Sequence, residues 1–304
     1  MRFFVTGVGG QLGHDVMNEL SKRALEGVGS DIAPAYNGIQ DGSAVTRMPY
    51  VMLDITDADA VARVFREVQP DVVVHCAAWT AVDLAEDAEK RDTVYKINVE
   101  GTRNIAEACK TYNCKMIYLS TDYIFDGQGD TPWEPDCSQF HPLSVYGQTK
   151  LEGEFAVKEN VEKFFIVRTA WVFGRNGKNF IKTMLSLADK YDTVRVVNDQ
   201  IGTPTYTIDL ARLLVDMALT EKYGFYHATN EGGYISWYQF ACEIFRRAGR
   251  DMKVVPVSTQ EYGASKAARP FNSRLDKRKL REAGFEPLPD WQDALVRYLR
   301  EIEG

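Results

Sequence analysis

Residues 2–13 read RFFVTGVGGQLG: an apolar run of strand length that turns, with no linker, into glycines and the start of a helix. Glycine at 7, 10 and 13 lets backbone approach a pyrophosphate, and the amino end of the next helix supplies free N–H groups and a positive dipole. The spacing is G-x-x-G-x-x-G rather than the strict G-x-G-x-x-G, although Gly9 is also present. An ordinary glycine-rich turn is the alternative. A strand before and a helix after favour a dinucleotide cradle, offered by Gly7, Gly10, Gln11, Leu12 and Gly13.

Outward from this unit the same alternation repeats. YVMLD (50–54), DVVVH (71–75), MIYLS (116–120) and FFIVRT (164–169) read as strands buried on both faces. A second strand is expected near Val28–Ile32, where Gly27 and Gly29 weaken the pattern. Helical periodicity fills Gln11–Leu25, Ala58–Glu67, Arg91–Lys110 and Val145–Glu159. Alternation of this kind predicts an α/β fold with a doubly wound, parallel Rossmann sheet. Ala33–Pro49 and Gly127–Pro142 lack a period and read as long loops of the sort that carry function. Beyond about residue 170 the pattern loosens. Helices at Asn179–Asp189, Thr207–Leu219, Ser236–Ala248 and Trp291–Ile302 alternate with short strands at Val194–Val197, Phe225–Ala228 and Val254–Val257. The expected division is a dinucleotide-binding domain, 1–170, and a smaller α+β substrate lobe, 171–304, interleaved with the last sheet strands.

With 304 residues, 45% hydrophobic and 26% charged, the chain has ordinary globular composition and enough length for a large core. A net charge of -7 argues against nucleic acid and an anionic membrane surface as partners. Five cysteines, with no C-x-x-C pair and one left over, fit reduced thiols better than a disulfide framework. The amino terminus enters a strand at once, with neither a signal core nor a spanning segment, so a cytoplasmic location is expected.

Each strand end offers chemistry. Asp31 falls 18 residues after Gly13, where a carboxylate accepts from the adenosine ribose hydroxyls and repels a 2′-phosphate. That leans toward NADH over NADPH; an acidic turn residue would look the same. Asp54, with Ile55 beside it, ends the third strand and either contacts adenine or caps the next helix, as Thr56 or Asp57 equally could. In HCAAWTAVD, small Ala77 and Ala78 permit close packing on a flat cofactor, Trp79 adjoins them, and Thr80 presents a hydroxyl at the cleft. His75 has no acid or cysteine at metal-ligand spacing and reads as structural; no metal ligand set is found. In LSTDYIFDG, Ser120 and Thr121 put hydroxyls at the carboxyl edge of the sheet, and Thr121 is favoured because strand residues alternate faces.

In SVYGQTK, Tyr146 and Lys150 stand four apart on one helix face. A phenol with a reference pKa of about 10 is a poor acid or base at neutral pH, and a nearby cation shifts it toward useful proton transfer. Alone the pair fits any helix with a buried Tyr and a solvated Lys. After a nucleotide cradle and a hydroxyl-bearing strand end, it reads as a proton-transfer dyad. Asn98 would bond backbone or water near the lysine.

At this point the chain resembles the extended short-chain dehydrogenase/reductase superfamily and, within it, the dTDP-4-dehydrorhamnose reductases. The resemblance rests on AAWTAVDLAED (77–87), STDYIFDG (120–127), PLSVYGQTKLEGE (142–154), VRTAWVFG (167–174), NDQIGTPT (198–205) and ARPFNSRLD (268–276). It implies NAD(P)H-dependent reduction of the C4 ketone of dTDP-4-dehydro-L-rhamnose, with a dTDP-sugar as substrate. It places Thr121, Tyr146 and Lys150 on the catalytic triad, and Asp122, Tyr123 and Trp171 near the sugar. Gln200, Thr203, Pro204, Arg269 and Ser273 fall in motifs that line the nucleotide-sugar cleft, Arg269 as a partner for the diphosphate. The chain departs from the family at His75, often Asn, and at Leu84, often basic. Some members hold a bridging magnesium at a dimer contact. Asp15 matches one such ligand, but KYDTV (190–194) does not supply the others, so magnesium is not expected and a homodimer stays open. Two other readings remain: a non-catalytic regulatory subunit of the methionine adenosyltransferase type, against which the intact triad argues, and a sister reductase or epimerase acting on another nucleotide sugar.

Overall fold

The computed structural model describes residues 1–303. Six strands follow one another through the first half: β1 (Arg2–Thr6), β2 (Glu26–Asp31), β3 (Tyr50–Met52), β4 (Val72–His75), β5 (Lys115–Thr121) and β6 (Phe164–Thr169). A seventh, Gly224–His227, comes from the second half and pairs with β6. All pairings are parallel, in the order Gly224–His227, β6, β5, β4, β1, β2, β3. Chain order reverses between β1 and β4, and in sheets of this kind ligands bind beyond the carboxyl ends at that reversal.

Continuous apolar runs make such a sheet because each residue meets a helix layer on one side or the other. Phe3, Val5, Val72, Val74, Ile117, Leu119, Phe165 and Val167 pack on one face against the Gln11–Lys22 and Thr207–Ala218 helices. Their neighbours Phe4, Val73, Met116, Tyr118 and Ile166 pack on the other against Ala58–Val68 and Thr102–Tyr112. The second half therefore supplies both an edge strand and a covering helix to the main sheet. The Phe180–Ala188, Trp237–Arg247 and Trp291–Glu303 helices enclose a separate core around Phe173, Phe240, Phe245, Trp291 and Tyr298.

Element boundaries differ from the sequence expectation where side chains intervene. The helix expected over Arg91–Lys110 is helical to Tyr112 but widens to a π-turn at Lys96–Gly101. Asn98 in that turn spends its amide on the Trp79 backbone. The helix after β3 is capped by Asp57, whose carboxylate accepts from Ala60 N at 2.9 Å, and not by Asp54. Among the described residues no helix is long and apolar enough to cross a membrane, and all five cysteines are free thiols.

Candidate active site

The site begins where β1 meets its helix. Gly7 has φ +72°, and a Cβ there would meet Ala77 N at 2.6 Å; a Cβ on Gly13 would collide with Gly7 O. Only glycine allows the turn to fold this tightly and leave the helix amino end bare. The first turn of that helix carries no acidic residue, so its free N–H groups face no built-in anion and suit a dinucleotide diphosphate. At the end of β2, Asp31 Oδ2 accepts from Gly9 N and Oδ1 from Ile32 N, both at 2.8 Å. The carboxylate thus stands against the glycine turn.

A cavity of about 580 Å³ runs along the carboxyl edge of the sheet. Of the residues expected at the cofactor, Gly7, Gly10, Gln11, Leu12, Gly13, Asp31, Asp54, Ile55, Ala77, Ala78, Tyr146 and Lys150 line it. Thr80, Thr121, Asp122, Tyr123 and Trp171, expected near the substrate, line it too. Gln11 also accepts from Gly174 N at 2.8 Å, tying the glycine turn to the second half.

The other expected residues stand behind this surface. Asn98 is fully buried: its Oδ1 accepts from Trp79 N at 2.8 Å and its Nδ2 donates to Thr149 Oγ1 at 3.1 Å, so it braces the Trp79 loop against the helix that carries Lys150. Trp79 turns its indole N–H to Ala81 O. Ser273 stands near enough to the Asp122 carboxyl to pull it down, while its backbone N donates to Ile201 O; Arg269 donates to Tyr123 Oη, a lining residue, at 3.2 Å. Gln200 donates to Thr259 Oγ1 and Thr203 to Gly233 O, while Pro204 O accepts from Asn230 N; these hold the second half together. Asp15 is buried and lies near Thr207, whose hydroxyl donates to Phe173 O.

Tyr146 and Lys150 ride on the Val145–Asn160 helix, capped by Ser144 Oγ, which accepts from Gly147 N at 3.1 Å. At Gly153 the helix presses so close to β5 that a Cβ would collide with Tyr118 Oη. This approach brings Tyr146 near the Thr121 hydroxyl, close enough for Thr121 to pull the phenol down; the hydroxyl itself donates to Asp122 Oδ1 at 3.1 Å and accepts from Tyr123 N. The Tyr123 ring meets Tyr146 edge-on, with centroids 5.5 Å apart. Lys150 is 3% exposed and its Nζ lies 4.1 Å from the Tyr118 ring centroid.

Burial dominates the electrostatics. It pushes the Tyr146 phenol above its ordinary value, against the lowering pull of Thr121, with Asp122 and Tyr123 raising it further. The sequence pattern predicts Lys150 as the group that brings the phenol down; in this pocket burial raises it and the lowering influence comes from Thr121. Burial also pulls Lys150 down to about 7, against the raising influence of Glu154 and Cys76. Asp122 is raised to about 6 by burial, with Ser273 and Thr121 opposing. His75 bonds Thr6 Oγ1 at 2.8 Å and Thr102 Oγ1 at 3.2 Å, and burial followed by the Lys150 charge lowers it to about 3. It is a neutral structural histidine.

Sequence reasoning missed Cys76, Ile97 and Lys178 among the lining residues. Lys178 arrives from the second half on a turn whose Asn176 donates to Gly9 O at 2.8 Å. Long-range contacts of this kind, with those of Gly174 and Asn179 to Gln11, bring it to the cradle, and no local signal marks it. Trp171 stacks on Trp237 with centroids 3.7 Å apart and holds φ at +51°, a strained backbone for a bulky residue.

The family model described as RmlD substrate binding domain matches residues 1–303. A dTDP-4-dehydrorhamnose reductase of Streptomyces griseus is 41% identical over 301 residues, covering 97% of this chain and 92% of that protein. The chain belongs to the dTDP-4-dehydrorhamnose reductase family. Two crystal structures of proteins so named are similar throughout. That from Clostridium acetobutylicum has a TM-score of 0.89 at 39% identity, covering 100% of both chains. That from Bacillus anthracis, in complex with NADP, has a TM-score of 0.88 at 38% identity, covering 99% of both. Membership in this reductase family makes the chain an oxidoreductase that works with a nicotinamide cofactor.

Proposed function

We propose that the chain reduces the C4 ketone of dTDP-4-dehydro-L-rhamnose to the alcohol of dTDP-L-rhamnose. The observation that carries this reading is the meeting of Thr121, Tyr146 and Lys150 on the cavity that also holds the glycine turn, in a chain of this family. A bound reduced nicotinamide supplies the hydride. Tyr146 gives its phenolic proton to the carbonyl oxygen while Thr121 holds that oxygen in place. A phenol raised by burial carries its proton at neutral pH but yields it less readily, so the transfer needs a cation at the phenolate. Lys150, as ammonium, donates to the nicotinamide ribose and compensates the phenolate left after transfer.

Residues 171–304 act as the substrate lobe, with Trp171 against the sugar and Arg269 toward the diphosphate through the motif Gln200–Pro204 and Ser273. Asp31 favours NADH, since a 2′-phosphate beside its carboxylate meets a like charge. Comparing kcat/KM for NADH and NADPH tests that preference, and a clear NADPH advantage rejects it. Five free thiols support a cytoplasmic setting.

The deciding experiment supplies dTDP-4-dehydro-L-rhamnose with each cofactor and follows nicotinamide absorbance. Oxidation of the cofactor with formation of dTDP-L-rhamnose is expected. No turnover by a protein that still binds dinucleotide would favour the regulatory-subunit reading, and turnover of a different keto sugar alone would reject the named substrate.

A further inference from the structure

A strap from the second half, Ser265–Arg269, is fastened across the rim of the cavity. Arg269 Nη2 donates to Asp83 Oδ2 at 2.7 Å, Ala267 N donates to Asp83 Oδ1 at 3.1 Å, and Lys266 Nζ donates to Asp87 Oδ1 at 2.8 Å. Asp83 belongs to the short Val82–Ala85 helix, and Val82 and Thr80 line the cavity. The other donors of Arg269 go to Tyr123 Oη at 3.2 Å and Ser265 Oγ at 3.1 Å. Through Tyr123 the guanidinium is one ring away from Tyr146.

We propose that Asp83 competes with the diphosphate of the nucleotide sugar for Arg269, so that this carboxylate sets how tightly substrate is held. The inference rests on the reading of the cleft as a dTDP-sugar site. A guanidinium presents a planar fork to an oxyanion, and a phosphate that takes the fork needs the Nη2 that Asp83 occupies. Two anions on one fork repel each other, so the carboxylate subtracts from the affinity of the phosphate. The exchange is inexpensive because the side chains of the pair are 28% and 41% exposed, and ion pairs in such surroundings are worth little. The contrast within the same molecule is Arg168 and Glu154, whose side chains are 1% and 2% exposed and bonded twice; that pair is sealed and cannot trade partners. Asp83 also keeps a second tie, to Ala267 N, which holds the strap in place when the guanidinium turns to another acceptor.

The test is a calorimetric titration of dTDP into the full chain as wild type, Asp83→Asn, Arg269→Met and the double variant. Asparagine keeps an oxygen for Ala267 N–H and removes both the charge and the second acceptor, Oδ2, that Arg269 uses. Cofactor affinity, unchanged in each variant, reports an intact fold, and Asp83→Ser repeats the comparison with a second neutral acceptor. Expected is dTDP binding about twofold to fivefold tighter in Asp83→Asn, the scale of a half-exposed ion pair, with the gain shrinking as salt rises. In the Arg269→Met background the same substitution changes nothing. Unchanged or weaker binding in Asp83→Asn means that Asp83 orients Arg269 and overturns the proposal. A gain that survives without Arg269 assigns the effect to the general field of the rim and also overturns it. A wild type that binds NADPH but not dTDP fails at the earlier step, the substrate reading itself.

Discussion

At the scale of single residues, Tyr146 and Lys150 carry opposite burdens of the same burial. Desolvation keeps a proton on the phenol and takes one from the ammonium. Removing the phenolic hydroxyl in Tyr146→Phe should lower kcat by about 10²–10⁴-fold, the usual range of general acid catalysis, with the cofactor dissociation constant nearly unchanged. Stopped-flow turnover and fluorescence titration measure the two. Near-normal turnover would remove Tyr146 from the chemistry. Lys150, lowered to about 7, loses its charge as pH rises through that value. Only the ammonium has three protons to donate, so cofactor affinity should weaken from pH 6 to pH 9. Lys150→Met should bind more weakly at pH 6 and show a flat profile; a sloping profile in the variant would assign the titration to another group.

At the scale of elements, the Val145–Asn160 helix is held to the sheet by contact and by charge. Gly153 lets it lie on Tyr118, and Glu154 grips Arg168 of β6 through two bonds at 2.8 and 2.9 Å. Arg168→Met should cost about 3–5 kcal/mol in urea unfolding, because it strands a buried carboxylate. It should also move the Lys150 profile to higher pH, since Glu154 raises Lys150 and would act without its partner. A loss of stability without that shift would mean that Glu154 does not influence the lysine. Much of this layer was legible in the sequence. Buried strands announced themselves as unbroken runs such as VVVH, and the Tyr–Lys spacing needs only helical geometry. What was not legible depends on partners far along the chain. The π-turn at Lys96–Gly101 follows from Asn98 meeting Trp79, and the place of Arg269 follows from Asp83, 186 residues away. Strand alternation favours Thr121 over Ser120 as the hydroxyl that serves; both line the cavity, because Thr121 is where β5 bends into the Asp122–Ile124 turn.

At the scale of the whole molecule, the Gln11–Lys22 helix of the first half packs on the Thr207–Ala218 helix of the second, and Asp15 lies at that contact with one carboxyl oxygen lacking a partner. Burial raises it to about 7 from an ordinary 3.8, more than Thr207 lowers it. The folded chain therefore holds this proton more tightly than the unfolded chain. The stability it contributes is complete below about pH 4, falls as pH rises, and is gone above about pH 7. Asp15→Asn should melt close to wild type at pH 4 and several degrees higher at pH 8, as read by calorimetry. An equal melting difference at both pH values would show that the carboxyl does not titrate there.

The pairing of Gly224–His227 with β6 has a consequence for how the chain is made. Translation delivers β6 by Thr169, but the strand that closes its open edge is not complete until His227, and the helix that covers Val74, Ile117 and Val167 arrives only with residues 207–218. At about 5–20 residues per second, the nascent sheet waits roughly 3–12 s with one greasy face and one unpaired edge in the open. Ribosome-bound chains arrested just past Thr169 should be cut readily within β6 by protease and recruit chaperones, whereas chains whose His227 has cleared the exit should resist. The two halves thus depend on each other while the chain is being made: neither the cradle nor the dyad is secure until the second half has begun to close over the first.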